Sequence, residues 1–198
     1  MTEDPKPWFP LRTPRLLLRE FHVDDFDDVH AYAVDDQTVR YMDWGPNTPE
    51  ETQKFLGEHL AAQRTWPRQA INLAVELIEE GKVIGSIRLG LGAHGEADFG
   101  YSYGSPYWRR GLGYEAAHAL VVTAFEVIGL RRIWATCDAR NLGSFAIMEK
   151  LGMRREGRLR QHMPAREGGW RDTLIYGLLA DEWGLQARRS TNVAQASR

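Results

Sequence analysis

Apolar positions along the chain switch between two periods, and the switches mark out the elements. Arg15-Leu16-Leu17-Leu18-Arg19-Glu20-Phe21 reads as a first strand. Asp24 and Asp25 then open a helix that runs to about Val34, because acidic side chains are favoured where the helix dipole is positive. A second helix starts at Thr48, with Pro49 in its first turn and Glu51 placed to close a capping box; it is expected to reach Trp66, ahead of Pro67. Residues 71–78, 83–91 and 97–103 form three strands in succession. The tight turns Glu79-Glu80-Gly81-Lys82 and His94-Gly95 join them, so they are expected to be antiparallel. Helical spacing returns with Ala116, Ala117, Leu120, Val121, Ala124, Phe125 and Ile128, and Gly129 stops it. Ile133-Trp134-Ala135-Thr136-Cys137 is the next strand, and Asn141 caps a short helix that ends at Leu151 before Gly152. Two closing strands, 153–161 and 173–179, flank a loop that holds Gly168 and Gly169. This order predicts a mixed α/β domain.

Composition narrows the class. Of the 198 residues 43% are hydrophobic and 26% charged, the balance of an ordinary globular chain with enough apolar mass for a core. The formal net charge of -2 supplies no global basic field, so no nucleic-acid partner is expected. No apolar run reaches spanning length and the N-terminus has no apolar signal core, so no membrane is expected and a cytoplasmic location is the default. Cys137 is the single cysteine, and the six histidines are scattered rather than set at metal-ligand spacing, so no metal is expected. Residues 1–11 read as an N-terminal extension, 12–185 as one domain, and 186–198 as a flexible tail whose end, from Ser190, is small and polar.

The chemistry concentrates in Trp108-Arg109-Arg110-Gly111-Leu112-Gly113-Tyr114-Glu115, between a strand and the start of the central helix. Gly111 and Gly113 permit a tight turn and close approach of a ligand to the backbone. The first helical turn leaves N–H groups without partners, and Arg109 and Arg110 add full positive charge. Together they make a site for a polyanion such as a diphosphate. The segment is not a Walker loop, since no Gly-Lys-Ser/Thr follows. It is not a dinucleotide fingerprint either, since it lacks the third glycine.

This segment resembles the acetyl-CoA diphosphate loop of the GNAT superfamily, Gln/Arg-x-x-Gly-x-Gly/Ala, and most closely its RimJ/RimL-type branch. Trp108 stands at the Gln/Arg position, which departs from the general pattern but suits the branch. Thr13-Pro14-Arg15-Leu16-Leu17-Leu18-Arg19 resembles the branch's first strand. Asn141-Leu142-Gly143-Ser144 with Met148-Glu149-Lys150-Leu151-Gly152-Met153, Glu156-Gly157, Gly169-Trp170-Arg171-Asp172 and Tyr176 resemble its later signatures, so the likeness covers about residues 12–183. It implies a central, mostly antiparallel sheet flanked by helices and splayed between the predicted fourth strand (97–103) and fifth strand (133–137), with pantetheine in the splay. Backbone groups near Tyr101 and Tyr103 would pair with the pantetheine. Trp108, Arg109, Arg110, Gly111, Leu112, Gly113, Tyr114 and Lys150 would hold the phosphates, and Asn141 would touch the pantetheine as well as capping its helix. Ser144 would protonate the departing thiolate, with Tyr176 or Tyr114 as competing acids. The implied reaction is direct attack of an amine on acetyl-CoA in a ternary complex, and the likeness also brings in a homodimer as an expectation that no single residue carries.

The acceptor must be neutral to attack. An α-amine of pKa about 8 is roughly 10% neutral at pH 7, and a lysine of pKa about 10.4 roughly 0.04%, a gap of about 3 kcal/mol. An α-amine therefore needs little from a base, whereas a lysine needs a positioned carboxylate. Asp98 and Glu96 are the candidates, with a solvated hairpin carboxylate as the plain alternative. In similar folds the region of residues 40–44 shapes the acceptor cleft; Trp44 and Trp66 are expected to line it or to fill the core, and Asp172 to fix loop geometry. Branch likeness favours a protein N-terminal α-amine. A small amine, an amino acid or an aminoglycoside is the rival acceptor, and a non-catalytic acyl-CoA-binding sensor module is the rival of another class.

Overall fold

The computed structural model describes residues 8–184. Among the described residues one sheet carries eight strands in the order β1-β2-β3-β4-β5-β6-β8-β7. These are β1 (Leu11–Arg12), β2 (Leu16–Arg19), β3 (Ala70–Leu77), β4 (Lys82–Leu91), β5 (Glu96–Tyr103), β6 (Arg132–Asp138), β7 (Arg154–Pro164) and β8 (Trp170–Leu179). Helices α1 (Phe26–Ala33), α2 (Asp36–Val39) and α3 (Pro49–Ala62) follow β2, α4 (Leu112–Val122) follows β5, and α5 (Leu142–Lys150) follows β6. The expected mixed α/β class holds. The tail expected over 186–198 and most of the extension expected over 1–11 lie outside the described residues, while Leu11 and Arg12 form β1 against Leu18 and Leu17. No helix among the described residues is long and apolar enough to cross a membrane.

Local chemistry accounts for most boundaries. The capping box at the head of α3 forms in both directions, Glu51 N–H to the Thr48 hydroxyl and Thr48 N–H to the Glu51 carboxylate. This helix stops at Ala62 rather than Trp66, because the residue before a proline is disfavoured in helical geometry and the last turn unwinds ahead of Pro67. A short helix at Asp36–Val39, unexpected from periodicity, is capped by Asp35, whose carboxylate accepts from Gln37 N–H. Helices α1 and α3 bury Phe21, Val29, Tyr32 and Leu56 against one face of the sheet. The opposite face receives Leu112, Ala116, Leu120 and Met148 of α4 and α5.

One pairing is incomplete, and it defines the architecture of the site. β5 and β6 are parallel but pair only from Glu96↔Arg132 to Asp98↔Trp134. β5 then stays with β4 as far as Gly85↔Tyr103, while β6 stays with β8 as far as Asp138↔Thr173. A wedge therefore opens beyond Asp98, between the strands predicted fourth and fifth.

The β2–α1 connection, which carries α1 over the cleft, is locked by charge. The Arg19 guanidinium donates to both oxygens of the buried Asp25 at 2.8 Å and to Glu76 at 2.7 Å, and the His22 N–H donates to Asp25 at 2.7 Å. Burial pushes the Asp25 carboxyl up, but these bonds outweigh it and hold the group below the usual carboxylate range. A depressed folded pKa contributes stability that is complete above the unfolded value, near 3.9, and is lost as pH falls through the folded value. Asp25→Asn is thus expected to cost about 3 kcal/mol at pH 7, the low end for breaking a buried pair because Glu76 remains. Denaturant melts should show this gap narrowing below about pH 4.

Candidate active site

The turn before α4 is built for donors that face outward. Gly111 occupies the N-cap with φ 78°, and no side chain caps the helix. The N–H of Glu115 bonds the Gly111 carbonyl, whereas those of Leu112, Gly113 and Tyr114 find no acceptor among the described residues. The Leu112 side chain is buried in the core, so this residue can offer a ligand only its amide. Gly113 also has a packing reason to be small: a Cβ there would sit 3.0 Å from Ile147 and 3.1 Å from the Tyr103 ring. The two arginines differ as well. Arg110 pairs with Glu79 at 2.9 Å and stands over the Tyr107 ring, while Arg109 (φ 59°) has no partner among the described residues and is the free charge at this helix end.

A polar clamp holds the turn in place. Glu115, in the first turn of α4, accepts from the Thr13 hydroxyl (2.7 Å), the Arg15 N–H (3.0 Å) and the Arg15 guanidinium, which also donates to the Arg110 carbonyl at 2.9 Å. Burial raises the Glu115 carboxyl, yet these donors hold it below its ordinary value, so the clamp is charged at neutral pH. Beside it lies a hollow of about 430 Å³ lined by Arg15, Gly111, Tyr114, His118 and Lys150, with the Lys150 ammonium 4.1 Å from the centre of the Tyr114 ring.

The wedge continues from this turn. Gly104 N–H bonds Ile84 on β4, so by strand alternation the backbone groups of Phe99, Tyr101 and Tyr103 point to the opened side. The Tyr103 carbonyl is already taken by the Trp108 indole N–H at 2.6 Å, which ties the loop to the strand end. Across the wedge, the Asn141 side chain accepts from Ser144 N–H at 3.1 Å as the cap of α5. The Tyr101 hydroxyl donates to the Ser144 carbonyl at 2.7 Å and lies 3.3 Å from its Oγ. Burial raises the Tyr101 phenol. Cys137 also lines the cavity, and burial pushes its thiol to about 11, so at neutral pH it is protonated and a poor nucleophile.

Facing the wedge is a cleft of about 910 Å³ that takes in Tyr41, Trp44, Asp98, Tyr101, Asn141 and Ser144. Trp66, expected to line it or fill the core, does neither: it is 47% exposed and outside the cavity wall. The competing acids stand elsewhere. Tyr176 is buried and donates to Glu149 at 2.9 Å, and Tyr114 belongs to the smaller hollow. Asp98 lines the cleft with its carboxylate in an ion pair with Arg88 at 2.7 Å. Asp172 fixes the β7–β8 end, accepting from Gln161 N–H at 2.8 Å and from Arg158. Sequence reasoning gave no role to His59, Arg88 or the Tyr101 side chain, all of which line the cleft. The weak signal for His59 was its spacing four residues after Phe55, which puts both on one helix face.

Outward amides at a left-handed glycine, an unpaired arginine beside them and a wedge leading from them to Ser144 suit a long phosphorylated thioester. Comparison with known proteins agrees. Residues 15–154 match the family model of the acetyltransferase (GNAT) domain. A Bacillus subtilis protein named uncharacterized N-acetyltransferase YnaD is 32% identical over 175 residues, covering 87% of this chain and 98% of its own. The crystal structure of a GNAT-family acetyltransferase from Bacillus anthracis superposes with a TM-score of 0.76 at 31% identity, over 87% of this chain and 99% of the other. Mycobacterium smegmatis RimJ, solved with CoA-disulfide, shares the fold with a TM-score of 0.73 at 22% identity, over 84% of this chain and 83% of its own. The chain therefore belongs to the GNAT family of acetyltransferases.

Proposed function

We propose that this acetyltransferase moves the acetyl group of acetyl-CoA to a protein N-terminal α-amine held in the larger cleft, within the RimJ/RimL-type branch. One observation carries the reading: Ser144, Tyr101 and Asn141 meet where β5 and β6 part, in the same cavity as the face that receives the acceptor. In this reading the amides of Leu112, Gly113 and Tyr114, with Arg109, bind the diphosphate, and Lys150 supplies charge to the neighbouring hollow. The opened edge of β5 at Tyr101 pairs with the pantetheine, and the free amide hydrogens of Asn141 reach it from the other side. The Ser144 hydroxyl gives its proton to the departing thiolate. The Tyr101 phenol is committed to the Ser144 carbonyl and orients that helix turn. A protonated Cys137 supports direct transfer over an acyl-enzyme. Asp98, paired with Arg88, is the carboxylate that the sequence offered as a proton acceptor, and it lines the acceptor side of the cleft.

Thiol release from acetyl-CoA tests this with hexapeptides beginning in alanine or serine, free amino acids, a polyamine and an aminoglycoside. Peptide turnover supports the proposal, turnover of small amines alone moves the acceptor to that class, and CoA binding without any turnover favours a sensor. Ser144→Ala is expected to lower kcat by about tenfold to a hundredfold with CoA affinity unchanged. A thiolate of pKa near 8.5 leaves moderately well unaided, which keeps the loss at the lower end for a general acid. An unchanged kcat would remove Ser144 from the mechanism.

A further inference from the structure

The acceptor side of the cleft holds a histidine whose surroundings fix its protonation. His59 lies in the last turns of α3, with Nδ1 2.8 Å from the Phe55 carbonyl. A carbonyl only accepts, so Nδ1 carries the hydrogen and Nε2 keeps its lone pair. Phe55, at 4.0 Å between ring centres, and Phe21, edge-on at 5.3 Å, hold the imidazole plane. Nε2 has no partner among the described residues, and the ring lines the large cleft. Beneath it, Asn72, Arg88 and Gly100 form one row across β3, β4 and β5. Gly100 is two residues past the last β5–β6 pair, where the wedge begins. Asp98, a carboxylate of the same cleft, is held by Arg88.

We propose that His59 is the group that takes the proton from the acceptor's ammonium, a role that rests on the acetyl-transfer reading above. Nε2 accepts one N–H proton, freeing the nitrogen lone pair. The nitrogen attacks the thioester carbon, the C–N bond forms, and the C–S bond breaks with its electron pair leaving on sulfur. A second proton leaves the nitrogen as the amide forms. One proton ends on the thiol, and the other passes from His59 to solvent, so the balance is RNH₃⁺ plus thioester to amide, thiol and H⁺. Burial holds the His59 ring below its ordinary pKa against the pull of the Phe55 carbonyl, so it is neutral and ready at pH 7. The charged groups that act on it are Glu58 of its own helix, which favours the cation, and Arg88 of β4, which opposes it and promotes release of the proton.

Two variants separate this role from packing. His59→Asn can keep the donor to the Phe55 carbonyl while removing Nε2, and His59→Gln sets a carboxamide near the Nε2 position. With the alanine hexapeptide, or the best small amine of the panel where the peptide is not used, both are expected to lose between about tenfold and a hundredfold in kcat/KM at pH 7. CoA affinity by calorimetry should stay within twofold. The deficit should narrow toward pH 9, because an α-amine then arrives neutral from solution. Two-bond ¹H–¹⁵N spectra of the CoA-bound full chain should show a neutral Nδ1–H ring at pH 7. Variants within twofold of wild type across the pH range, or a ring found charged or protonated on Nε2, would overturn the proposal and leave the transfer reading intact. A wild-type chain that binds CoA but acetylates no amine sinks both.

Discussion

Gly111→Val is expected to weaken CoA binding several hundredfold in calorimetry while leaving the fold largely in place. Gly111 sits at φ 78° as the N-cap of α4, a left-handed conformation that costs a side-chain-bearing residue about 1–2 kcal/mol and a β-branched one at least that. Nothing among the described residues crowds the position: of these, a Cβ would meet only the Arg15 guanidinium, at 3.5 Å. The chain can therefore relieve the strain by rotating out of the left-handed region, and the amides of Leu112, Gly113 and Tyr114 then lose their common aim. Hydrogen bonds to a charged group are worth about 1.5–3 kcal/mol each, so losing one or two of them weakens binding by roughly 3–4 kcal/mol. Gly111→Ala, without the branched carbon, should fall between. Affinity within threefold of wild type in the valine variant, with an unchanged Tm, would mean that the diphosphate binds elsewhere.

Much of this fold was legible because its determinants are local. The three-strand run, the capping box at Thr48 and Glu51 and the Asn141 cap each involve residues within a few positions of one another, and the structure reproduces them within one or two residues. The wedge was legible only through likeness to a family, since a strand pair that stops at Asp98↔Trp134 leaves no pattern in side chains. Long-range pairing stayed hidden for the same reason. Arg110 carries the same charge in the sequence as Arg109, yet Glu79 on a hairpin 31 positions away neutralises it. Gly113 read as a ligand contact, and its smallness has a second use that only the fold shows, packing against Tyr103 and Ile147. Tyr101 was read for its backbone alone, whereas its hydroxyl crosses the wedge to Ser144, 43 positions on. His59 had no motif to announce it. Its one local signal, Phe55 a turn earlier, is shared by any apolar helix face, and its tautomer depends on a carbonyl that only the folded helix presents.

The largest stability effect is expected at a glycine with an unremarkable φ. Gly85 lies in the middle strand of the three-strand run, opposite Val75 of β3, where the register shifts, and opposite Tyr103 at the end of β5. A Cβ there would overlap the Ser102 carbonyl oxygen and come within 2.9 Å of Tyr103 Cα. Those obstacles are backbone, which cannot swing aside as a side-chain end can, so β5 must part from β4 to admit any side chain. Gly85→Val is expected to cost at least about 4 kcal/mol in denaturant unfolding, since overpacking here also breaks ladder hydrogen bonds. At this chain size that corresponds to a Tm lower by about 10 °C. Gly100→Ala is the matched control one strand over. Its Cβ would stand 3.4 Å from the flexible Arg88 side chain, so Tm should hardly move. A valine at Gly85 that costs less than about 1 kcal/mol would show that β4 and β5 can slide apart freely. The wedge edge at Tyr101 and Tyr103 would then be too compliant to hold a thioester in register with Ser144, because β4 is the strand that β5 still pairs with once its pairing with β6 has ended.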